Sequence, residues 1–271
     1  MYPELELSDW RSTRDALHDY ARVLGAVRRE MNRPRKHWWH ITLEVTARGL
    51  TTTPIMAGDR TVELVLNPLD QQLELATSRG ERSSIDLAGF SQQSLAQALF
   101  DALRTLNIEP PGLPATQWQD AVHYFDRDAS TRYWNAMAQI DGVFRQFKGE
   151  FREESSPVQL FPHHFDLSLN WFSGRLVPGV DPNDEESADE QMNFGFVTGD
   201  SGIPEAYIYA TAYPEPQGLV DVPLTEGAYW HTEGFTGAIL PYSELADEEE
   251  ASERLLQFLR TVRLGVADLM R

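Results

Sequence analysis

Residues 37–50, HWWHITLEVTARGL, are the stretch on which the fold turns. From Trp38 the pattern has a period of two. Trp39, Ile41, Leu43 and Val45 share one face and Trp38, His40, Thr42 and Glu44 the other, as in a half-buried strand. Residues 161–176, FPHHFDLSLNWFSGRL, echo it in the second half. At one constant offset of 124 residues, His40 meets His164, Leu43 meets Leu167 and Val45 meets Leu169. The same offset carries Trp10 onto Trp134, Tyr20 onto Phe144 and Val27 onto Phe151, and one inserted residue brings Gly49 to Gly174. Paired tryptophans and histidines at identical separation favour a duplicated unit over a chance match of amphipathic segments.

Upstream, Ser8 is a candidate helix cap with Asp9 in the first turn. Trp10, Leu17, Tyr20, Ala21, Leu24, Val27 and Met31 then recur at helical spacing until Pro34. Downstream, 61–66 and 72–77 read as strands joined by Asn67-Pro68-Leu69-Asp70, with a short strand around Ile85. Ser91 caps a helix through Leu95, Leu99, Leu103 and Leu106, and the Pro/Gly-rich 109–114 marks a boundary. The second half predicts a helix capped by Ser130, strands over 164–172, 193–198, 206–213 and 237–240, and a final helix from Leu255 to Leu269. A further strand starts at Val158, and the acidic 181–190 reads as a solvated loop. The expected fold is α+β: two pseudo-repeats of an α-β-β-β-β-α unit, 1–112 and 113–271. Antiparallel sheets are packed by long amphipathic helices, and the repeats are fused into one globular unit.

Composition narrows the function. The 271 residues include 42 acidic and 23 basic side chains, for a net charge of −19. A field of that sign repels phosphate backbones and anionic bilayers, so neither nucleic acid nor membrane is an expected partner. With no cysteine, disulfides, thiolate metal sites and cysteine nucleophiles are excluded. No apolar run approaches the about 18 residues of a spanning helix. MYPELELSDW lacks the regions of a secretory signal, so a cytoplasmic location is expected.

Chemistry concentrates around the echoed stretches. His40 and His164, with His37 and His163 beside them, are candidate ligands for a divalent transition metal. Glu44 and Asp166 are the candidate catalytic carboxylates, as ligand or general base. The competing reading makes the histidines structural, since neither HWWH nor PHH matches an established metal spacing. In AYIYATAY, Tyr207, Tyr209 and Tyr213 share a strand face that lines a ligand cavity or forms a cross-strand ladder. Trp230 is a further candidate ligand-binding residue. Arg48 and Arg175, beside the paired glycines, hold a carboxylate or phosphate, or else close surface salt bridges.

The chain resembles a bacterial family of unknown function. The resemblance rests on WRSTRDALH (10–18), HWWHITLEVTARGLTT (37–52), SPVQLFPHHFDL (156–167), FSGR (172–175), AYPEP (212–216) and ILPY (239–242). It covers essentially the whole chain and implies no activity, cofactor or catalytic residue. Two functions remain open. One is a small-molecule-binding protein or enzyme with a pocket between the halves, lined by His40, Glu44, His164, Asp166, Tyr209 and Trp230. The other is a non-enzymatic protein-interaction module presenting an acidic surface.

Overall fold

The computed structural model describes residues 2–200 and 202–270. In chain order the elements are α1 (Leu7–Met31), β1 (Glu44–Val45), β2 (Leu50–Thr51), β3 (Ile55–Ala57), β4 (Arg60–Asn67), β5 (Gln72–Thr77), β6 (Arg82–Asp86) and α2 (Gln92–Thr105). There follow α3 (Arg127–Lys148), β7 (Gln159–Phe161), β8 (Asp166–Leu176), β9 (Asp189–Val197), β10 (Tyr207–Tyr213), β11 (Tyr229–His231), β12 (Gly237–Pro241) and α4 (Ala251–Leu269). The fold is α+β, with four α-helices and two six-stranded antiparallel sheets among the described residues. Helix, strands and helix therefore occur twice in order, with six strands where four were expected. The sheets are wired differently. The first runs β1-β2-β4-β5-β6 with β3 on β4, and the second runs β11-β12-β10-β9-β8-β7.

The chain groups into two compact units. The N-terminal unit comprises Ser8–Trp134 and Leu160–Phe165. Its sheet follows the alternation in sequence: Leu64 pairs with Leu75 and Leu66 with Leu73 on the buried face. The β4–β5 turn closes on Asn67, whose Oδ1 accepts the Leu69 and Asp70 N–H groups at 3.1 and 3.0 Å. Ser91 caps α2 in a reciprocal pair with Ser94, as expected. The other two expected caps are displaced. Ser8 lies within α1 and donates to Asp9 at 3.0 Å. Asp126 caps α3 by accepting the Ala129 N–H at 2.7 Å, while the Ser130 hydroxyl donates to Pro68 O at 2.7 Å.

The largest correction concerns HWWH, which is not a strand. Lys36–Trp38 form a 3-10 turn, His37 and Trp38 take left-handed φ values of 53° and 58°, and the first strand begins only at Glu44. The cause lies on α1. Arg28, buried in spite of its charge, donates from Nε to His40 O at 3.1 Å and from Nη2 to Trp39 O at 3.5 Å. Its Nη1 donates to Thr52 O and, at 3.1 Å, to the Thr53 hydroxyl. Carbonyls turned towards a guanidinium cannot serve a strand ladder, so the period-two pattern is overridden. The returning segment 160–165 closes beside this turn. Leu43 and Leu160 exchange backbone hydrogen bonds of 2.9 and 2.7 Å, and Pro162 fills the place of a side chain at Gly25.

The C-terminal unit comprises Met1–Leu7, Asn135–Gln159 and Asp166–Arg271. Its apolar sheet face aligns Leu167 and Leu169 with Phe196 and Phe194, and these with Ile208 and Ala210. The Phe147 ring of α3 meets Phe194 edge-on at 5.0 Å. The acidic 181–187 connects β8 to β9 and is mostly exposed, with Asp184 accepting the Glu186 and Ser187 N–H groups at 2.9 and 2.7 Å.

Two substitutions test this account. Arg28→Lys should lower stability by about 3 kcal/mol in urea unfolding, because an ammonium cannot reach all four acceptors and leaves buried carbonyls unbonded. Gly25→Ala should destabilise by about 1–3 kcal/mol despite alanine's better helix propensity, since the new Cβ would stand 2.5 Å from Pro162 Cγ.

Candidate functional site

The six residues expected to line one pocket divide between the units: His40, Glu44 and His164 in the N-terminal, and Asp166, Tyr209 and Trp230 in the C-terminal. Within the first, His40 is buried, its Nδ1 accepts the Arg35 N–H at 3.2 Å, and its ring stacks on Trp38 at 5.6 Å. His37 is buried beside Trp39, whereas His163 and His164 are exposed, with ring centroids 4.3 Å apart. Among the described residues, no group of three or more His, Asp or Glu side chains is placed to hold a metal ion. Glu44 acts electrostatically on Arg28. Burial lowers the Arg28 pKa to about 10, and the Glu44 charge opposes that fall.

In the C-terminal unit the polar sheet face forms a buried relay. Tyr209 donates to Asp166 Oδ2 at 2.7 Å, Asn193 donates to the Tyr209 oxygen at 3.4 Å, and Ser168 donates to Asn193 Oδ1 at 2.8 Å. The Tyr209 ring lies across Gly195, where any Cβ would come within 2.3 Å of it. Burial, and then the Asp166 charge, push the Tyr209 phenol far above its ordinary pKa, so it stays a donor. Tyr207 likewise donates to Asp200 at 2.7 Å, and Trp230 to Val222 O at 2.9 Å. Arg48 pairs with Glu74 and Arg175 with Glu190, so both arginines close ion pairs within their own sheets.

A concave site with mixed lining lies elsewhere, inside the N-terminal unit. A cleft of about 420 Å³ has Arg22, Gly25, Ala26 and Arg29 as its α1 wall. Those positions are i, i+3, i+4 and i+7, one stripe of the helix. Ile41, from the turn held by Arg28, and Pro162 and His163, from the returning segment, are also lining residues. The last wall is Gln92 with the strap Gln117-Trp118-Gln119. The strap is fastened to the start of α2: Gln93 N–H donates to Gln119 O at 3.0 Å, Gln119 N–H to Gln92 Oε1 at 3.2 Å, and Ser91 to Asp120 at 2.8 Å. Trp118 is half-buried, and its indole N–H has no hydrogen-bond partner among the described residues. The stripe Arg22-x-x-Gly25-Ala26-x-x-Arg29 was the available sequence signal, since Gly25 admits another segment against the helix and the small Ala26 between cations leaves room.

The profile of a family described as a family of unknown function, DUF5996, matches residues 2–270. The chain belongs to this family. Comparison with curated proteins and with solved structures returns no match. In this DUF5996 member, several recognisable segments have structural work. HWWH supplies carbonyls to Arg28, FSGR contributes Arg175 to its pair with Glu190, and ILPY ends in Tyr242, which donates to Pro3 O at 2.7 Å.

Two imidazoles next to the cleft are held neutral. His18 stacks on Phe165 at 5.3 Å and donates from Nε2 to His163 O at 3.1 Å. Burial, reinforced by Arg22, lowers its pKa to about 4. Local desolvation, His164 and Arg22 lower that of His163 to about 4 as well, although the residue keeps solvent exposure. Both values lie below the unfolded-state value of about 6.5. Between these limits the unfolded chain binds the protons that the folded chain refuses, so stability falls as pH drops from about 6.5 to 4. The urea midpoint should decline over that window, and the decline should be shallower in a His18→Gln/His163→Gln variant.

Proposed function

We propose that this protein binds a small organic molecule in the cleft beside α1 of the N-terminal unit. The observation that carries the reading is the wall of that cleft. Pro162 packs on Gly25, and the small Ala26 beside it leaves space on a long helix between two cations, with an aromatic strap as a further wall. Its volume of about 420 Å³ is within the range of small-molecule sites, and its lining mixes apolar surface with a few convergent polar groups. The wall is built on rigid elements: Arg28 fixes the turn that carries Ile41, and hydrogen bonds at the start of α2 fix the strap. A site pre-formed in this way binds without a large ordering penalty.

A thermal-shift screen of the full chain against soluble metabolites tests the proposal. A ligand at about 100 times its Kd should add about 2.7 kcal/mol of stability. Ala26→Leu, at a half-exposed position, should fill the cleft and remove that response with little change in the ligand-free melting temperature. Absence of any stabilising compound, or stabilisation that survives Ala26→Leu, would overturn it.

A further inference from the structure

The charge around this cleft runs against the charge of the chain. The protein carries 42 carboxylates to 23 basic side chains, yet no aspartate or glutamate lines the cleft, while two arginines do. Of two other cavities among the described residues, one follows the bulk and one is balanced. The first is lined by Glu226, Glu244, Glu248, Glu250 and Glu253 with a single arginine, whereas the second sets Arg48 and Arg82 against Glu63 and Glu74. A local positive site within a negative field focuses an anion onto one spot.

The two arginines are not equivalent. Arg29 is paired with Glu30 at 3.0 Å, whereas Arg22 forms no salt bridge among the described residues. One guanidinium without a salt bridge, its charge felt by Asp19 one turn earlier on α1, suits one planar carboxylate, taken by two parallel hydrogen bonds. A phosphate dianion normally draws on several free backbone N–H groups as well. Here the start of α2 has no such surplus, because Ser91 Oγ holds the Ser94 N–H at 3.1 Å and Gln119 O holds that of Gln93. The rest of the lining specifies the body of the ligand. Gly25, Ala26, Ile41 and Pro162 supply apolar surface, and Trp118 supplies a flat ring with no hydrogen bond to fix its tilt. His163, neutral above about pH 4, adds an imidazole that does not compete for the anion.

Resting on the binding role argued above, we propose that the ligand is an aromatic or conjugated monocarboxylic acid. Its carboxylate sits on Arg22, and its flat body lies between Ala26, with Pro162 packed on Gly25 beside it, and Trp118.

Titration calorimetry of the full chain with cinnamate, cinnamamide, hexanoate and inorganic phosphate tests this directly. Cinnamate should bind at least tenfold tighter than its neutral amide. The preference should weaken with added salt and collapse to about equal affinity in Arg22→Gln, an exposed and non-structural position. Cinnamate should also exceed hexanoate and phosphate. Equal binding of cinnamate and cinnamamide, both lost in Ala26→Leu, would overturn the charge assignment while leaving the binding role intact. Hexanoate or phosphate matching cinnamate would overturn the flat carboxylate. If no compound binds and the metabolite screen is also empty, the binding role fails and this inference with it.

Discussion

Arg28 is the constraint around which the N-terminal unit is arranged. A guanidinium presents donors in a rigid plane, and burial makes each unmet donor expensive. The chain answers by bringing Trp39 O, His40 O, Thr52 O and the Thr53 hydroxyl to one point on α1. The segment that sequence patterning lays out as a strand from Trp38, and the stretch at Thr52-Thr53, are thereby tied to a helix. Ile41 follows directly after the bonded carbonyls, so the position of one cleft wall is a consequence of how a charge is solvated inside the protein.

The α+β class was legible because it rests on periodicity. Leu64, Leu66, Leu73 and Leu75 alternate as a buried sheet face must, and α2 carries its leucines and its Ser91 cap at the required spacings. The failure at HWWH has a physical reason. Tryptophan and histidine alternate there as in a strand, but the backbone's partners are donors on another element, which no local pattern reveals. The same limit applies at Ser130, which looks like a cap yet bonds to Pro68.

The site was less legible than the fold. Histidines, tyrosines and paired carboxylates attract attention because they carry chemistry, yet here many are occupied with one another. Asp166 with Tyr209, and Arg48 with Glu74, satisfy buried or partly buried groups within a sheet. The cleft instead depends on what is missing: side-chain volume at Ala26, and acidic residues in the lining. Absences of this kind acquire meaning only when the neighbours are known, and Pro162 and Trp118 lie far from α1 in the chain.

The two units exchange short pieces of chain, and this governs the order in which they can be completed at the ribosome. Leu43 finds its bridge partner only when Leu160 has been made, and Gly25 waits for Pro162. Tyr2, ahead of α1, pairs with Ala246, which follows β12. Neither unit can close on its nascent segment alone, and pairings of such long sequence separation slow folding. Until residue 160 is made, Leu43 and Gly25 of the N-terminal unit lack these partners. An abundance of like-charged acidic side chains, which keeps unfinished chains apart, suits that interval.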